Sequence, residues 1–279
     1  MEVGKIMDGL IAMAAESIPQ EADDYIEDGL LYCGKCRTQK QCRINMLGRE
    51  AVVFCLCKCA KEKQETEEAE LKQREHLRRL DSLRRTGFPD SDMMRWTFDT
   101  DDGGNEKLTR TAKAYVENFG QFRADGKGLL LYGTVGTGKT FVAACIANAL
   151  IDKGVACMVS SMARIVSTAA SCEDGRQAYL DSLNRFDLLV IDDLSSERDT
   201  EYMTEMVQTI IDARYRAHKP LIVTTNMTSN ELKHPQDMSK QRIYSRLFEM
   251  CIPIEVTGSD RRKTKLTNDY NAYKDLLGL

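Results

Sequence analysis

No run in this 279-residue chain approaches the roughly 18 apolar residues that a membrane-crossing helix requires, so a helical membrane protein is set aside. The first 18 residues lack a basic start and a small-residue cleavage site. Glu2, Lys5, Asp8 and Glu16 interrupt their mildly apolar character, and no signal peptide is read there. The expected compartment is the cytoplasm. Excess positive charge is missing as well: a formal net charge of −4 argues against a chain coated in cations, although a local basic patch suffices for nucleic acid. There is no internal repeat. With 42% hydrophobic and 29% charged residues, the composition suits a soluble globular protein of one large domain or two small ones.

Cysteine, by contrast, is plentiful and unevenly spread. Six of the ten cysteines fall between residues 33 and 59; Cys145, Cys157, Cys172 and Cys251 are scattered among apolar neighbours. Clustering of this kind favours a metal over disulfides. CGKC (33–36) is a C-x-x-C knuckle, and CLCKC (55–59) offers a second set. Zinc takes four soft ligands in a tetrahedron, and pairs close in sequence supply its halves. Cys33 and Cys36 with two of Cys55, Cys57 and Cys59 are the expected ligands; an extended 55–59 segment would put those three on one face. Cys42, in the basic stretch KQCR, is the weakest candidate. A redox dithiol or unpaired thiols are the alternatives, and an iron–sulfur cluster is a further one without a matching spacing. A zone of about 30 residues buries little core, so a structural metal would hold it together.

Four zones follow: a short acidic leader over 1–31, read as helical; the cysteine zone 32–60; a charge-dense run 61–86; and an α/β domain from about 88. As domains these are an N-terminal zinc-binding module (1–60), a charged helical connector (61–87) and a nucleotide-binding domain (88–279). The charged run contains no Gly or Pro and reads as a solvated helix, with Leu77, Leu80 and Leu83 on one face. Arg78, Arg79, Arg84 and Arg85 could instead meet a partner or a phosphate backbone. Beyond it, apolar strands (128–133, 157–161, 188–194, 221–226, 251–256) alternate with helices (139–152, about 162–170, 177–185, 200–217, 239–249). That alternation implies a five-stranded parallel sheet covered on both faces.

GTVGTGKT, from Gly133 to Thr140, matches G-x-x-x-x-G-K-[ST] at every fixed position, after a buried strand and before a helix. Its glycines let the backbone amides of Thr134, Val135, Gly136, Thr137, Gly138 and the residues up to Phe141 wrap phosphate oxygens, aided by the helix dipole. Lys139 reaches the β- and γ-phosphates, and the Thr140 hydroxyl suits magnesium. LLVIDD supplies the acidic half: Asp192 for magnesium, Asp193 for orienting the attacking water. Asp193 is one methylene shorter than the glutamate common in this role, which implies slow hydrolysis. Asn226, ending LIVTTN, is expected between the P-loop and Asp193, near the γ-phosphate. Arg242 and Arg246 share a helix face, where they serve either a phosphoryl transition state or a salt bridge. Arg261 and Arg262 in GSDRRK are further phosphate-reaching candidates.

With LLLYGTVGTGKT, FDLLVIDDL, LIVTTN, RIYSRL and GSDRR in this order, the chain resembles an AAA+ ATPase of the replicative helicase-loader group (the DnaC and DnaI type), with transposition helpers of the IstB type as relatives. The resemblance spans about 88–262, and the cysteine zone also fits. It implies that Asn226 is the sensor asparagine, Arg246 the arginine finger acting across a subunit boundary, with Arg242 as alternative, and Arg261 the second-sensor arginine. It further implies little or no C-terminal helical lid, since only 257–279 follow the last strand. The implied protein binds and hydrolyses ATP with magnesium, and grips a DnaB-type replicative helicase through its zinc module. It self-associates when ATP-bound and places the ring on single-stranded DNA. An IstB-like transposition helper, a nucleotide-switched adaptor without turnover, and a small-molecule kinase are the competing readings.

Overall fold

The structure, a computed structural model, describes residues 20–46, 49–89, 91–172, 175–194, 201–235 and 237–278. It divides into two compact units between Leu77 and Arg78. Among the described residues no helix is long and apolar enough to cross a membrane.

The first unit is two small antiparallel hairpins and the start of a long helix. Strands β1 (Tyr25–Glu27) and β2 (Leu30–Tyr32) pair through a two-residue turn, Asp28 at φ 49° and Gly29 at φ 73°. Asp-Gly in this left-handed geometry matches the twist of the strands it joins. The expectation of a helical leader therefore fails over residues 20–31, and residues 1–19 lie outside the described residues. The Asp28-Gly29 pair is the sequence signal for the turn found there. Strands β3 (Gln41–Met46) and β4 (Arg49–Phe54) form the second hairpin. Beneath them Asp24 accepts from the amides of Glu21 and Gly34 and pairs with the nearly buried Lys40. Lys40 holds the Asp24 carboxyl below the usual carboxylate range, and Asp24 in turn raises the lysine.

Helix α1 (Lys58–Gly87) runs across the unit boundary and takes up the charged stretch. Residues 61–79 are exposed, and the helix carries i,i+4 pairs such as Lys63–Glu67 near its start and Asp81–Arg85 near its end, each worth only a few tenths of a kcal/mol. Leu71 and Leu77 are exposed, whereas Leu83 packs into the core of the second unit.

That second unit is a five-stranded parallel sheet in the order β6-β7-β8-β5-β9, with β5 Gly128–Tyr132, β6 Cys157–Ser161, β7 Leu188–Asp192, β8 Leu221–Thr225 and β9 Cys251–Glu255. Alternate strand residues point to opposite faces, and both faces are apolar. Leu129, Leu131, Leu188, Val190 and Ile222 pack with helices α2 (Glu106–Glu117) and α4 (Lys139–Asp152). On the other face, Leu130, Leu189, Ile191, Leu221 and Val223 meet α5 (Met162–Ser171), α6 (Arg176–Leu183), α7 (Glu201–Arg216) and α9 (Met238–Met250). Short helices α3 (Phe119–Ala124) and α8 (Ser229–Lys233) complete the connections. Among the described residues one helix, α10 (Arg261–Leu277), follows β9.

Charge also enters this core. The fully buried Arg214 donates to the carbonyls of Leu183, Phe186, Asp187 and Pro220, tying the loops that feed β7 and β8. Burial pushes its guanidinium down to about 10.

Candidate nucleotide site and metal cluster

The sheet order fixes the site. The acidic strand β7 and the P-loop strand β5 are separated by β8, so all three deliver their C-terminal ends side by side. Ligands bind open α/β sheets at that edge. Gly136 sits at φ 80°, and a Cβ there would fall 1.9 Å from the Asp260 carboxylate, so only glycine fits. Lys139 begins α4, is almost buried, and donates through Nζ to the carbonyls of Gly133 (3.0 Å) and Thr134 (2.7 Å). Burial lowers its pKa, while Asp193 and Asp192 oppose that shift.

A cavity of about 600 Å³ opens over this turn. Residues 135–141 line it together with Asp192, Asp193 and Asn226, and Arg261 and Arg262 close another side. Gly133 and Thr134 contribute the carbonyls that hold Lys139. The sequence-expected residues of the P-loop, acidic pair, sensor position and second-sensor position thus come together in one place.

Three features escaped the sequence. Thr224, buried on β8, accepts from the Asp193 amide (2.9 Å) and donates to Asp192 Oδ1 (2.6 Å), linking the two aspartates. A polar residue inside the apolar run LIVTTN was its available signal. Asn226 Nδ2 donates to Asp193 Oδ1 at 3.2 Å, and Asp193 itself holds φ 54°, a strained value for a non-glycine residue. Second, Arg261 is tethered by Asp102 (2.8 Å) and Asp101 (3.6 Å), and its amide donates to Gly136. Third, Met93, Trp96 and Thr100 supply a wall of the cavity that no motif marked. Thr140 and Asp192 both face the cavity with oxygen donors, a set suited to magnesium.

In the first unit, the Sγ atoms of Cys33, Cys36, Cys57 and Cys59 all lie within 4.8 Å of one another. Cys33–Cys59 is 3.5 Å and Cys57–Cys59 is 3.4 Å. Zinc–sulfur bonds of ~2.3 Å place the corners of a tetrahedron roughly 3.8 Å apart, so the four thiols are compatible with zinc. Helix α1 begins at Lys58, so 55–59 is not extended, and a helix start rather than a strand brings Cys57 and Cys59 together. Cys55 instead turns to the carbonyl of Gln39, and both Cys55 and Cys42 fall outside the set. Thr38 and the Cys59 amide hydrogen-bond to Cys36 and lower its thiol to about 5, as the surroundings of a metal thiolate do.

Residues 64–268 match the family model described as IstB-like ATP binding protein. The chain belongs to this family. Among curated relatives, this IstB-like protein is 25% identical over 196 residues to the replicative helicase loader DnaI of Bacillus subtilis (strain 168), covering 65% of this chain and 63% of that one. It is 30% identical over 135 residues to the replicative helicase loader DnaC of Escherichia coli (strain K12), 46% of this chain and 53% of that one. The IstB-like chain therefore spans between about half and five-eighths of these relatives. Two solved structures share the AAA+ fold. A crystal structure of the DnaC helicase loader superposes with a TM-score of 0.53 at 24% identity, over 60% of this chain and 99% of that one. A crystal structure of DnaI gives 0.52 at 26%, over 62% and 94%.

Arg246 does not line the cavity of this IstB-like protein. On α9 it forms an ion pair with Asp212 of α7, and its guanidinium lies 5.9 Å from the Tyr215 ring. Arg242, one turn earlier, is exposed.

Proposed function

We propose that this protein is an ATP-hydrolysing loader that delivers a DnaB-type replicative helicase onto single-stranded DNA in the cytoplasm. One observation carries the reading: Lys139, Thr140, Asp192, Asp193, Asn226 and Arg261 meet around one cavity, in a chain whose curated relatives are named replicative helicase loaders. The domain assignment that goes with it is a zinc-binding, helicase-gripping module (1–60), a connector (61–87) and the ATPase (88–279).

In this mechanism the amides of 134–141 cradle the β- and γ-phosphates of ATP, and Lys139 exchanges its carbonyl partners for phosphate oxygens. Thr140 and Asp192 hold magnesium, which when bound supplies positive charge against the phosphates. Asp193 accepts a hydrogen bond from the attacking water and turns its lone pair toward the γ-phosphorus, while Asn226 fixes the carboxylate that does so. Arg261, oriented by Asp101 and Asp102, reaches phosphate from the other side. Arg246 acts on the nucleotide of a neighbouring copy in the ATP-bound oligomer, and for that it leaves Asp212; Arg242 is the alternative. Cys33, Cys36, Cys57 and Cys59 hold zinc, which keeps the helicase-gripping module folded.

Capture of the cognate replicative helicase by the full chain, with ATP or ADP present, tests the reading. Retention of helicase with ATP, lost on metal chelation, is the expected result. No capture in any nucleotide state would remove the loader assignment. The short Asp193 side chain favours a second reading, an adaptor that binds ATP without turnover. Asp193→Asn decides between them: phosphate release falls about 10²-fold in an ATPase and is unchanged in an adaptor.

A further inference from the structure

The lining of the nucleotide cavity has two characters. Around the P-loop and the strand ends it is amides, hydroxyls and charge. Its apolar and aromatic part is Met93, Trp96, Val135 and Phe141, with the Trp96 and Phe141 ring centroids 6.0 Å apart. A triphosphate suits the first surface, and the flat, apolar faces of a purine suit the second.

The Met93–Trp96 wall belongs to no long element. It is a single 3-10 turn, Ser91–Arg95, closed by a bond from the Trp96 amide to the Met93 carbonyl (3.2 Å). Met93, Met94 and Trp96 pack against the core, and the turn's side-chain hydrogen bonds to α4, the helix that Lys139 begins, come from Asn148. Asn148 is only 2% exposed, and its Nδ2 donates to the carbonyls of both Met93 and Trp96 at 2.9 Å each, reaching back 55 and 52 residues. Because both partners are carbonyls, the amide must present its NH₂ to them, which fixes its orientation. Its Oδ1 is buried and unpartnered. A side chain kept in an apolar core with one end unsatisfied is retained for what the other end holds.

We infer that Asn148 is a positioning residue for the base end of the nucleotide cavity, holding the turn against which the purine ring of the nucleotide packs. This rests on the nucleotide-binding reading above. Asn148 touches no ligand itself; it acts through Met93 and Trp96. The same helix thus carries the phosphate-binding lysine at its first turn and the anchor of the base wall in its third, so the two ends of the site keep a fixed spacing.

The test is calorimetric titration of the full chain with two magnesium-loaded ligands, ATP and inorganic tripolyphosphate, which has the phosphates and no base. For Asn148→Ala the dissociation constant for ATP should rise about tenfold and that for tripolyphosphate less than twofold. Emission from Trp96, the chain's one tryptophan, should shift when ATP binds the parent protein and shift less in the variant. Equal weakening of both ligands, or of neither, would overturn the inference. If Asn148→Ala does not fold, Asn148→Ser, which keeps one donor, is judged by the same ratio. Failure of the parent protein to bind ATP at all would instead remove the nucleotide reading on which this one stands.

Discussion

The two units of this chain solve the problem of staying folded in different ways. Arg78–Leu279 buries both faces of a parallel sheet, and its strand residues from Leu129 to Leu131 and Leu188 to Ile191 are almost wholly hidden. The first unit has few buried apolar side chains among its described residues, chiefly Leu30, Leu31 and Ala51, with Cys33 and Cys57 hidden more deeply still. A small core of that kind falls short of what folding needs, and the thiol cluster supplies the difference when a metal is held. The lesson is that chemistry concentrated in one place can substitute for area spread over many.

The largest effect that would sharpen this contrast is metal removal. A chelator, or Cys57→Ser, should unfold the first unit, because structural zinc contributes on the order of 10 kcal/mol in small modules. Hydrogen exchange should show lost protection over 20–57 and none over β5 to β9. Equal loss in both units would break the comparison. Next in size, Leu130→Ala in the second unit should cost about 2–5 kcal/mol by chemical denaturation and leave metal content unchanged. Lys139→Ala should weaken ATP binding by about 10²-fold with little change in melting temperature, separating the site from the scaffold. Smallest is a pH effect confined to the first unit. Lys40 is raised by its bond to Asp24, so the stability it contributes is complete below its ordinary value, ~10.4. That contribution is lost as pH rises through the higher folded value. Asp24 is lowered, so its contribution is complete above ~3.9 and lost only as pH falls through the lower folded value. The stability difference between parent and Lys40→Met, at constant metal, should therefore be flat from about pH 5 to 10 and shrink above that.

The parallel sheet was legible because buried strands read as unbroken apolar runs, and LLVID and LIVTT leave little else to be. The P-loop was legible because its function constrains backbone shape, which forces glycine at fixed intervals. The cysteine cluster was legible as a group but not residue by residue, since whether Cys55 or Cys59 turns inward depends on where α1 starts. Residues 20–31 depart from the helical expectation because acidic composition does not set conformation, whereas the Asp28-Gly29 turn does. Thr224 leaves one trace, a polar residue inside an apolar strand, but its partner does not show, and Asn148 and the Asp101–Asp102 tether leave none: each works through a partner more than 30 residues away, and one sequence carries no record of such pairs.

Thr224 has a consequence for how this site can change. Its hydroxyl has one hydrogen, already committed to Asp192, and a lone pair already committed to the amide of Asp193. The two aspartates are thus fastened by the same pin. An alteration that tilts one aspartate must drag on the other, so substitutions at 192, 193 and 224 should compound rather than add, and the trio can drift only as a set.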